Sequence, residues 1–291
     1  MLKDFFYGLA FGITQIVPGV SGGTIAILLG FYDKLIKAIN NLRKDFRKQL
    51  KFLVPFAVGI GIGILSLSSL ISYLLERFSF PTMLFFIGLI TGIIPLVFKK
   101  VKNKKWFSFK EMCLIILPIV FLVSIAHLGT ISIGNPQEAI ANMSLPLMFF
   151  IFISGLIAAT GLILPGVSGS FFLLLLGVYP LATYSVSTIR LLLNDITNTS
   201  LMLDIMRVLG PMAIGVLIGV FVTARVVEGL LEKHFRTTYL VVLGLLIGSA
   251  YVILRDPIVY QSGTSSLIFA IGAFTFISGF VISYILGKRK I

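Results

Sequence analysis

Two short runs of the sequence, 17–24 and 164–171, combine residue types that break one helix and start another. They read Val-Pro-Gly-Val-Ser-Gly-Gly-Thr and Leu-Pro-Gly-Val-Ser-Gly-Ser-Phe. The proline interrupts a helix, and the glycine after it reaches backbone angles that a side chain would forbid. The residues of these two motif turns are Pro18, Gly19, Pro165 and Gly166. We therefore predict that each run turns the chain and that a second helix begins at its serine.

The serine of each run is a favourable N-cap, and the small residues after it leave backbone N–H groups open to a ligand. Such a helix N-terminus carries a positive partial charge and binds phosphate or another anion. The predicted phosphate-binding residues are Ser21, Gly22, Gly23 and Thr24 in the first run and Ser168, Gly169 and Ser170 in the second. The alternative interpretation is that both runs are tight turns for helix packing. Thr24 has no counterpart in the second run, so the two copies are free to contribute unequally.

Few ionisable residues lie within the apolar stretches, where such residues are functional hypotheses by default. Arg225 precedes Lys233 by about two helical turns, and Glu228 follows Arg225 by three residues on a neighbouring face. We predict that Arg225 binds an anionic group in a bidentate manner, and that Glu228 releases it or carries a coupling proton. Asp33 is the second candidate for coupling. The alternative is a structural pair that reaches the membrane interface.

The composition indicates an integral membrane protein. The chain has 291 residues, of which 57% are hydrophobic and 12% charged, with a mean hydropathy of +1.06. Soluble domains have about 45–50% apolar and about 25% charged residues. The 24 basic residues outnumber the 11 acidic ones but lie mostly between apolar runs, which argues against a nucleic-acid partner. One cysteine and two histidines are too few for a disulfide or a metal cage, so no metal and no cofactor are predicted.

Apolar stretches of about 20 residues predict membrane-spanning helices. The predicted spans are 52–75, 82–98, 112–131, 208–231, 238–254 and 266–286. Two longer apolar regions, 5–33 and 147–189, are each interrupted by one of the motif turns.

The two halves of the sequence, 1–143 and 144–291, repeat one design. The motif copies are separated by 147 residues, and Gly8 and Gly30 fall opposite Gly155 and Gly177 at the same offset. Downstream the offset becomes 156, and matched residues recur in order: Pro55, Gly59, Gly63, Glu76, Gly88 and Gly92 fall on Pro211, Gly215, Gly219, Glu232, Gly244 and Gly248. We interpret this order as an internal duplication.

The distribution of Lys and Arg predicts the orientation of these segments. The basic segments 34–51, 99–110 and 288–290 are expected in the cytoplasm, and 132–146 and 190–207 outside. This assignment of loops to the two sides of the membrane is consistent only if each long region, 5–33 and 147–189, starts and ends on the same side. Each region is then a re-entrant helical hairpin or two full spans. We predict hairpins, because the arms of the first region are short for spanning.

The predicted fold is therefore an all-α polytopic membrane protein with an inverted-topology repeat. Each half consists of a re-entrant hairpin and three transmembrane helices, and both termini are cytoplasmic. If the hairpins enter from opposite faces, their helix N-termini converge on one anion site that opens alternately to either side.

The run from Phe6 to Thr24, followed by Gly30-Phe31-Tyr32-Asp33, resembles the PopT family of bacterial undecaprenyl-phosphate translocases, long catalogued as a domain of unknown function. The resemblance covers essentially the whole chain, including the second Pro-Gly-Val-Ser-Gly at 165–169. It implies a flippase of the bacterial cell membrane that returns undecaprenyl phosphate from the outer to the cytoplasmic leaflet. This recycles the lipid carrier for cell-envelope polymer synthesis. The implied partners are undecaprenyl phosphate and membrane lipids.

Two other classes of function compete with a lipid-phosphate translocase. A small-anion transporter or channel would use the same helix N-termini. A lipid pyrophosphatase resembles the chain in its Pro-Gly turns, but it needs an arginine and paired carboxylates that 18–24 and 165–171 lack. We therefore predict a transporter and not an enzyme. Inward movement of phosphate opposes an inside-negative potential by about 2.3 kcal/mol per charge per 100 mV, so coupling to protons or another cation is expected.

Overall fold

The computed structural model describes residues 2–16, 21–101, 108–127, 133–166, 168–194, 198–260 and 265–288. The described residues are almost entirely helical and contain no strand, which confirms the all-α prediction. The helices of this part of the chain are α1 (Leu2–Ile16), α2 (Gly22–Leu28), α3 (Tyr32–Asn40), α4 (Phe46–Arg77), α5 (Ser79–Val101), α6 (Phe109–His127), α7 (Pro136–Ala141), α8 (Leu145–Ile163), α9 (Gly169–Leu175), α10 (Tyr179–Asn194), α11 (Thr199–Lys233), α12 (Phe235–Arg255) and α13 (Ser266–Lys288). A 3₁₀-helix, Pro257–Tyr260, follows α12.

Six of the described helices are long and apolar enough to cross a membrane, namely α5, α6, α8, α11, α12 and α13. Five of them contain predicted spans, and α8 is the first arm of the predicted hairpin 147–189. The predicted span 52–75 lies in α4, whose 32 residues also exceed the length a crossing needs. Residues 128–131 of the span 112–131 lie outside the described residues. The protein is therefore a multi-pass membrane protein.

The helices extend beyond most of the predicted spans. Thus α11 begins at Thr199 and not at 208, and α4 begins at Phe46 and not at 52. Apolarity marks the part of a helix that lies in hydrocarbon, whereas the backbone hydrogen bonds continue through the polar residues on either side.

Each predicted hairpin region contains a long helix, a seven-residue helix and the start of a third helix. The short helices α2 and α9 end at glycines with positive φ, +66° at Gly30 and +71° at Gly177. The Phe31 N–H then bonds the Ala26 carbonyl at 2.9 Å, and the equivalent bond closes α9. This is a Schellman ending, which stops a helix and redirects the chain. At the second copy the chain bends by 114° between α9 and α10. Each predicted hairpin was expected to have two arms and one turn, and the structure adds a second turn after the short helix, at Gly30 and at Gly177.

Glycines set the packing between the first and fourth helix of each predicted half. Gly8 of α1 lies against the backbone of Phe56 in α4, and Gly155 of α8 lies against the backbone of Met212 in α11. These partners are related by the offsets of 147 and 156 found in the sequence. Small residues permit this close backbone approach, which is typical of membrane helix pairs.

The remaining spans pair across the two halves. Gly88 of α5 lies against Phe276 of α13, and Gly244 of α12 lies against Ile115 of α6. The second span of one half thus packs on the third span of the other half. The contacts recur in matched pairs, and the inverted orientation of the halves stays a prediction.

Alanine at Gly59 is expected to destabilise the protein, whereas alanine at Gly61 of the same helix is not. A Cβ at Gly59 would overlap the Phe5 carbonyl oxygen, while a Cβ at Gly61 would have no atom within 4 Å. Overpacking typically costs about 1–3 kcal/mol, and Ala has a better helix propensity than Gly at an open position. The melting temperatures of both variants are measured by thermal unfolding in detergent. Equal melting temperatures for Gly59→Ala and Gly61→Ala would contradict the close packing of α4 on α1.

Candidate functional site

The first motif starts helix α2 as the sequence predicts. Ser21 has extended backbone angles, and its Oγ accepts a hydrogen bond from the Gly23 N–H at 3.1 Å, which confirms it as an N-cap. Ser21 is only 1% exposed, and every residue of α2 is buried. The site therefore lies in the interior of the protein. Pro18 and Gly19 lie outside the described residues.

The two motif copies contact each other through hydrogen bonds. The Ser21 hydroxyl lies 2.8 Å from the Leu164 carbonyl oxygen and 3.1 Å from the Gly161 carbonyl oxygen, to which it donates. In return, the Gly166 N–H donates to Thr24 Oγ1 at 2.8 Å. We call Ser21, Thr24, Gly161, Leu164 and Gly166 the motif junction. It joins segments about 140 residues apart, so the start of α2 contacts the second motif.

The helix N-termini at this junction face protein and not open space. A Cβ on Gly23 would lie 2.6 Å from the Ile163 carbonyl oxygen, and a Cβ on Gly161 would lie 2.6 Å from the Gly169 nitrogen. Gly22 lies against the ring of Phe11. Each copy therefore occupies the space that the glycines of the other leave, and phosphate binding by these backbone N–H groups stays a prediction.

The second motif differs from the first in its hydrogen bonds. Gly166 has φ of +85°, as the predicted turn requires, and α9 begins directly after Ser168. However, Ser168 makes no side-chain cap bond, and its Oγ lies 2.7 Å from Ser170 Oγ. A cavity of about 30 Å³, large enough for water, is lined in part by Gly166, Ser168 and Ser249. The two copies thus present different polar groups. Ser249 lies on α12 and belongs to no sequence motif, so the sequence patterns did not identify it.

Arg225 and Glu228 are close in sequence but have different surroundings. Glu228 Oε2 accepts a hydrogen bond of 2.7 Å from Asn40 Nδ2, which also donates to the Ala224 carbonyl oxygen at 2.9 Å. Among the described residues, Arg225 makes no ion pair with Glu228 or any other carboxylate. The alternative interpretation, a structural Arg225–Glu228 pair, is therefore not seen among the described residues, and Glu228 instead takes part in a contact between α3 and α11. Asn40 is distant in sequence from Glu228, and no motif at the end of the amphipathic helix α3 could have identified it.

Arg225 lines a cavity of about 680 Å³ between α3, the turn that follows it, and α11. We call this cavity the α3–α11 groove; it is lined by Asn40, Arg43, Phe46, Ile218, Phe221 and Arg225, among others. Both arginines are exposed. Asp33 lies in the first turn of α3, about two turns before Asn40, and does not line the groove.

Comparison with known proteins identifies the family. Residues 11–267 match a family model described as undecaprenyl phosphate translocase-like, and this range includes both motifs and Arg225. The chain belongs to this family. The resemblance seen in the motifs is thereby confirmed.

Two curated members of known name are similar over most of their length. The polyprenyl-phosphate transporter of Staphylococcus aureus is 33% identical over 284 residues, which cover 97% of this chain and 94% of that protein. The polyprenyl-phosphate transporter of Vibrio cholerae is 30% identical over 262 residues, which cover 85% of this chain and 76% of that protein. No solved structure is significantly similar.

Proposed function

We propose that the protein is a translocase that returns undecaprenyl phosphate from the outer to the cytoplasmic leaflet for reuse in cell-envelope polymer synthesis. The observation that carries the proposal is the motif junction, in which the start of α2 and the second motif meet through hydrogen bonds in the buried core. Two similar proteins of this family are named polyprenyl-phosphate transporters, which supports the substrate class.

The junction explains how a phosphate crosses without entering lipid. When the two turns separate, the Ser21 and Thr24 hydroxyls and the N–H groups of α2 and α9 exchange their protein partners for phosphate oxygens. These groups offset the cost of removing the charge from water, while the isoprenoid tail stays in the bilayer. Halves of opposite orientation, 1–143 and 144–291, then allow the site to open to one leaflet at a time. The basic loops support cytoplasmic termini in the bacterial cell membrane.

The surroundings of the motif support transport and not hydrolysis. A serine nucleophile needs a neighbouring base, but the Ser21 hydroxyl donates to backbone carbonyls. Arg225 also lies in a groove that includes apolar side chains exposed on the surface of α11. The groove places a cation beside apolar side chains, which suits the phosphate and the isoprenoid tail of a lipid substrate.

Proteoliposomes containing undecaprenyl phosphate test the proposed function. A phosphatase added outside hydrolyses only the outer-leaflet lipid in protein-free vesicles. With the protein present, we expect nearly all of the lipid to be hydrolysed, since inner-leaflet lipid moves outward down its gradient. The experiment is repeated with inorganic phosphate enclosed in the vesicles. Release of inorganic phosphate without lipid movement would replace the translocase by a small-anion transporter.

Glu228 is our candidate for coupling lipid movement to protons, with Asp33 the second candidate. We expect Glu228→Gln to abolish lipid accumulation driven by a proton gradient while movement down the lipid gradient continues. Glutamine keeps an oxygen that accepts the bond from Asn40 but cannot release a proton. Transport is measured with and without an uncoupler, and Asp33→Asn is compared in parallel. Wild-type accumulation that persists after the proton gradient collapses would exclude proton coupling.

A further inference from the structure

We propose that the α3–α11 groove binds the head group of a polyprenyl phosphate, with Arg43 and Arg225 both contacting the phosphate. The apolar wall of α11 then holds the first isoprene units. This inference rests on the proposed function and adds a second site to it, distinct from the motif junction. The ligand class is a lipid phosphate monoester, and Arg43 is the residue that the sequence patterns did not identify.

The charges of the groove match a phosphate monoester. Arg43 and Arg225 both line it and, within the described part of the chain, neither guanidinium forms an ion pair with a carboxylate. A phosphate monoester carries between one and two negative charges and three oxygens, which two planar guanidinium groups can share through paired hydrogen bonds. The two cations therefore suit one head group better than an isolated surface arginine would.

The hydrogen bonds of Asn40 engage Glu228, the carboxylate three residues after Arg225 on α11. Asn40 Nδ2 donates to Glu228 Oε2 and to the Ala224 carbonyl oxygen, which ties the end of α3 to α11. Glu228 is thereby held by a neutral partner and, among the described residues, forms no ion pair with Arg225. The same two bonds fix the separation of the helices that form the groove.

The apolar wall distinguishes a lipid from a free anion. Ile218, Phe221 and Val222 line the groove and are 43%, 42% and 51% exposed, as other large apolar side chains of the membrane-spanning α11 also are. Phe46, 58% exposed, lines the groove from the start of α4. The volume of about 680 Å³ is in the range of about 300–1,000 Å³ that suits a drug-sized ligand. It therefore holds a phosphate and the first isoprene units, and the rest of the chain extends into lipid.

The groove also has a definite place in the proposed transport cycle. Arg43 belongs to the basic segment 34–51, which the distribution of charge assigns to the cytoplasmic side. A site there is suited to hold the head group after it has passed the motif junction and before the lipid diffuses into the cytoplasmic leaflet.

Binding of farnesyl phosphate to the purified full-length protein in nanodiscs tests the head-group contacts. We expect Arg43→Gln and Arg225→Gln each to raise the Kd by about tenfold or more, since each removes charge-assisted hydrogen bonds. Arg207→Gln is the matched control, because Arg207 also lies on α11 but lies 3.4 Å from Asp204 and outside the groove. Wild-type affinity in both groove variants would overturn the proposal.

A second set of variants tests the apolar wall. Val222→Trp is expected to weaken farnesyl phosphate binding about tenfold by filling the groove and to leave the binding of inorganic phosphate unchanged. Leu217→Trp, at an exposed residue of α11 outside the groove, is the control. Inorganic phosphate that competes as strongly as farnesyl phosphate would overturn the assignment to a lipid. So would farnesol that binds as tightly as farnesyl phosphate, because the arginines would then have no role.

The vesicle assay separates this inference from the proposed function. Lipid movement by wild type together with unchanged binding in the arginine variants rejects the groove and keeps the translocase. Arginine-dependent binding in a wild type that moves no lipid rejects the translocase, and with it the role of the groove in transport.

Discussion

The combined substitution Ser21→Ala and Thr24→Val is expected to reduce lipid-phosphate movement in the vesicle assay by about 100-fold. Both residues are 1% exposed, and their hydroxyls connect the two motif copies in the closed junction. In the proposed mechanism they bond the phosphate when the junction opens. A hydrogen bond to a charged group contributes about 1.5–3 kcal/mol, so two of them account for a reduction of this size.

Controls separate this effect from a loss of folding. Thr24→Ser keeps the hydroxyl and should retain most of the activity. Ser278→Ala and Thr183→Val remove exposed hydroxyls that bond carbonyls of their own helices, and they should behave as wild type. Circular dichroism and thermal unfolding report whether each variant is folded. Normal transport by a folded Ser21→Ala/Thr24→Val protein would remove the junction from the mechanism.

Alanine at Gly23 is expected to abolish transport by preventing the junction from closing. Its Cβ would lie 2.6 Å from the Ile163 carbonyl oxygen and 3.0 Å from the Pro165 nitrogen, and both are backbone atoms that cannot rotate away. Forcing the motif copies apart should cost about 1–3 kcal/mol of stability, which corresponds to a lower melting temperature. A site that cannot close cannot alternate between the two leaflets, so we expect transport to fall below detection.

Gly210→Ala and Gly229→Ala are matched controls for this prediction. Both glycines lie in α11, and a Cβ at either would have no atom within 4 Å. Both variants should transport at the wild-type rate with unchanged or raised melting temperatures. If Gly23→Ala transports as well as these controls, closure of the junction is not part of the cycle.

The family, the helical class and the membrane location could be predicted from the sequence because their signals are local. A stretch of about 20 apolar residues has few stable structures other than a membrane helix. The N-cap at Ser21 depends on a serine next to two glycines, and the turn at Gly166 depends on a residue without a Cβ. The recurrence of Gly8 and Gly155 likewise anticipated matched helix contacts.

The sequence prediction of the candidate site was less complete. It named Ser21, Thr24 and Gly166, but it described helix N-termini open to an anion, whereas the structure joins them to each other. Whether a backbone N–H faces a cavity or another helix depends on how closely the second copy approaches. Spacing within one motif contains no information about that distance.

The sequence by itself determined the helical class and the membrane location, and it named the residues that we propose bind a phosphate. Only the tertiary structure decided that Asn40 bonds Glu228, 188 residues away, and that Arg43 and Arg225 line one groove. The physical reason is the range of the forces involved. Backbone hydrogen bonds and hydrophobicity act within a segment of 20 residues, whereas the partner of a polar side chain depends on the packing of helices that are distant in the chain.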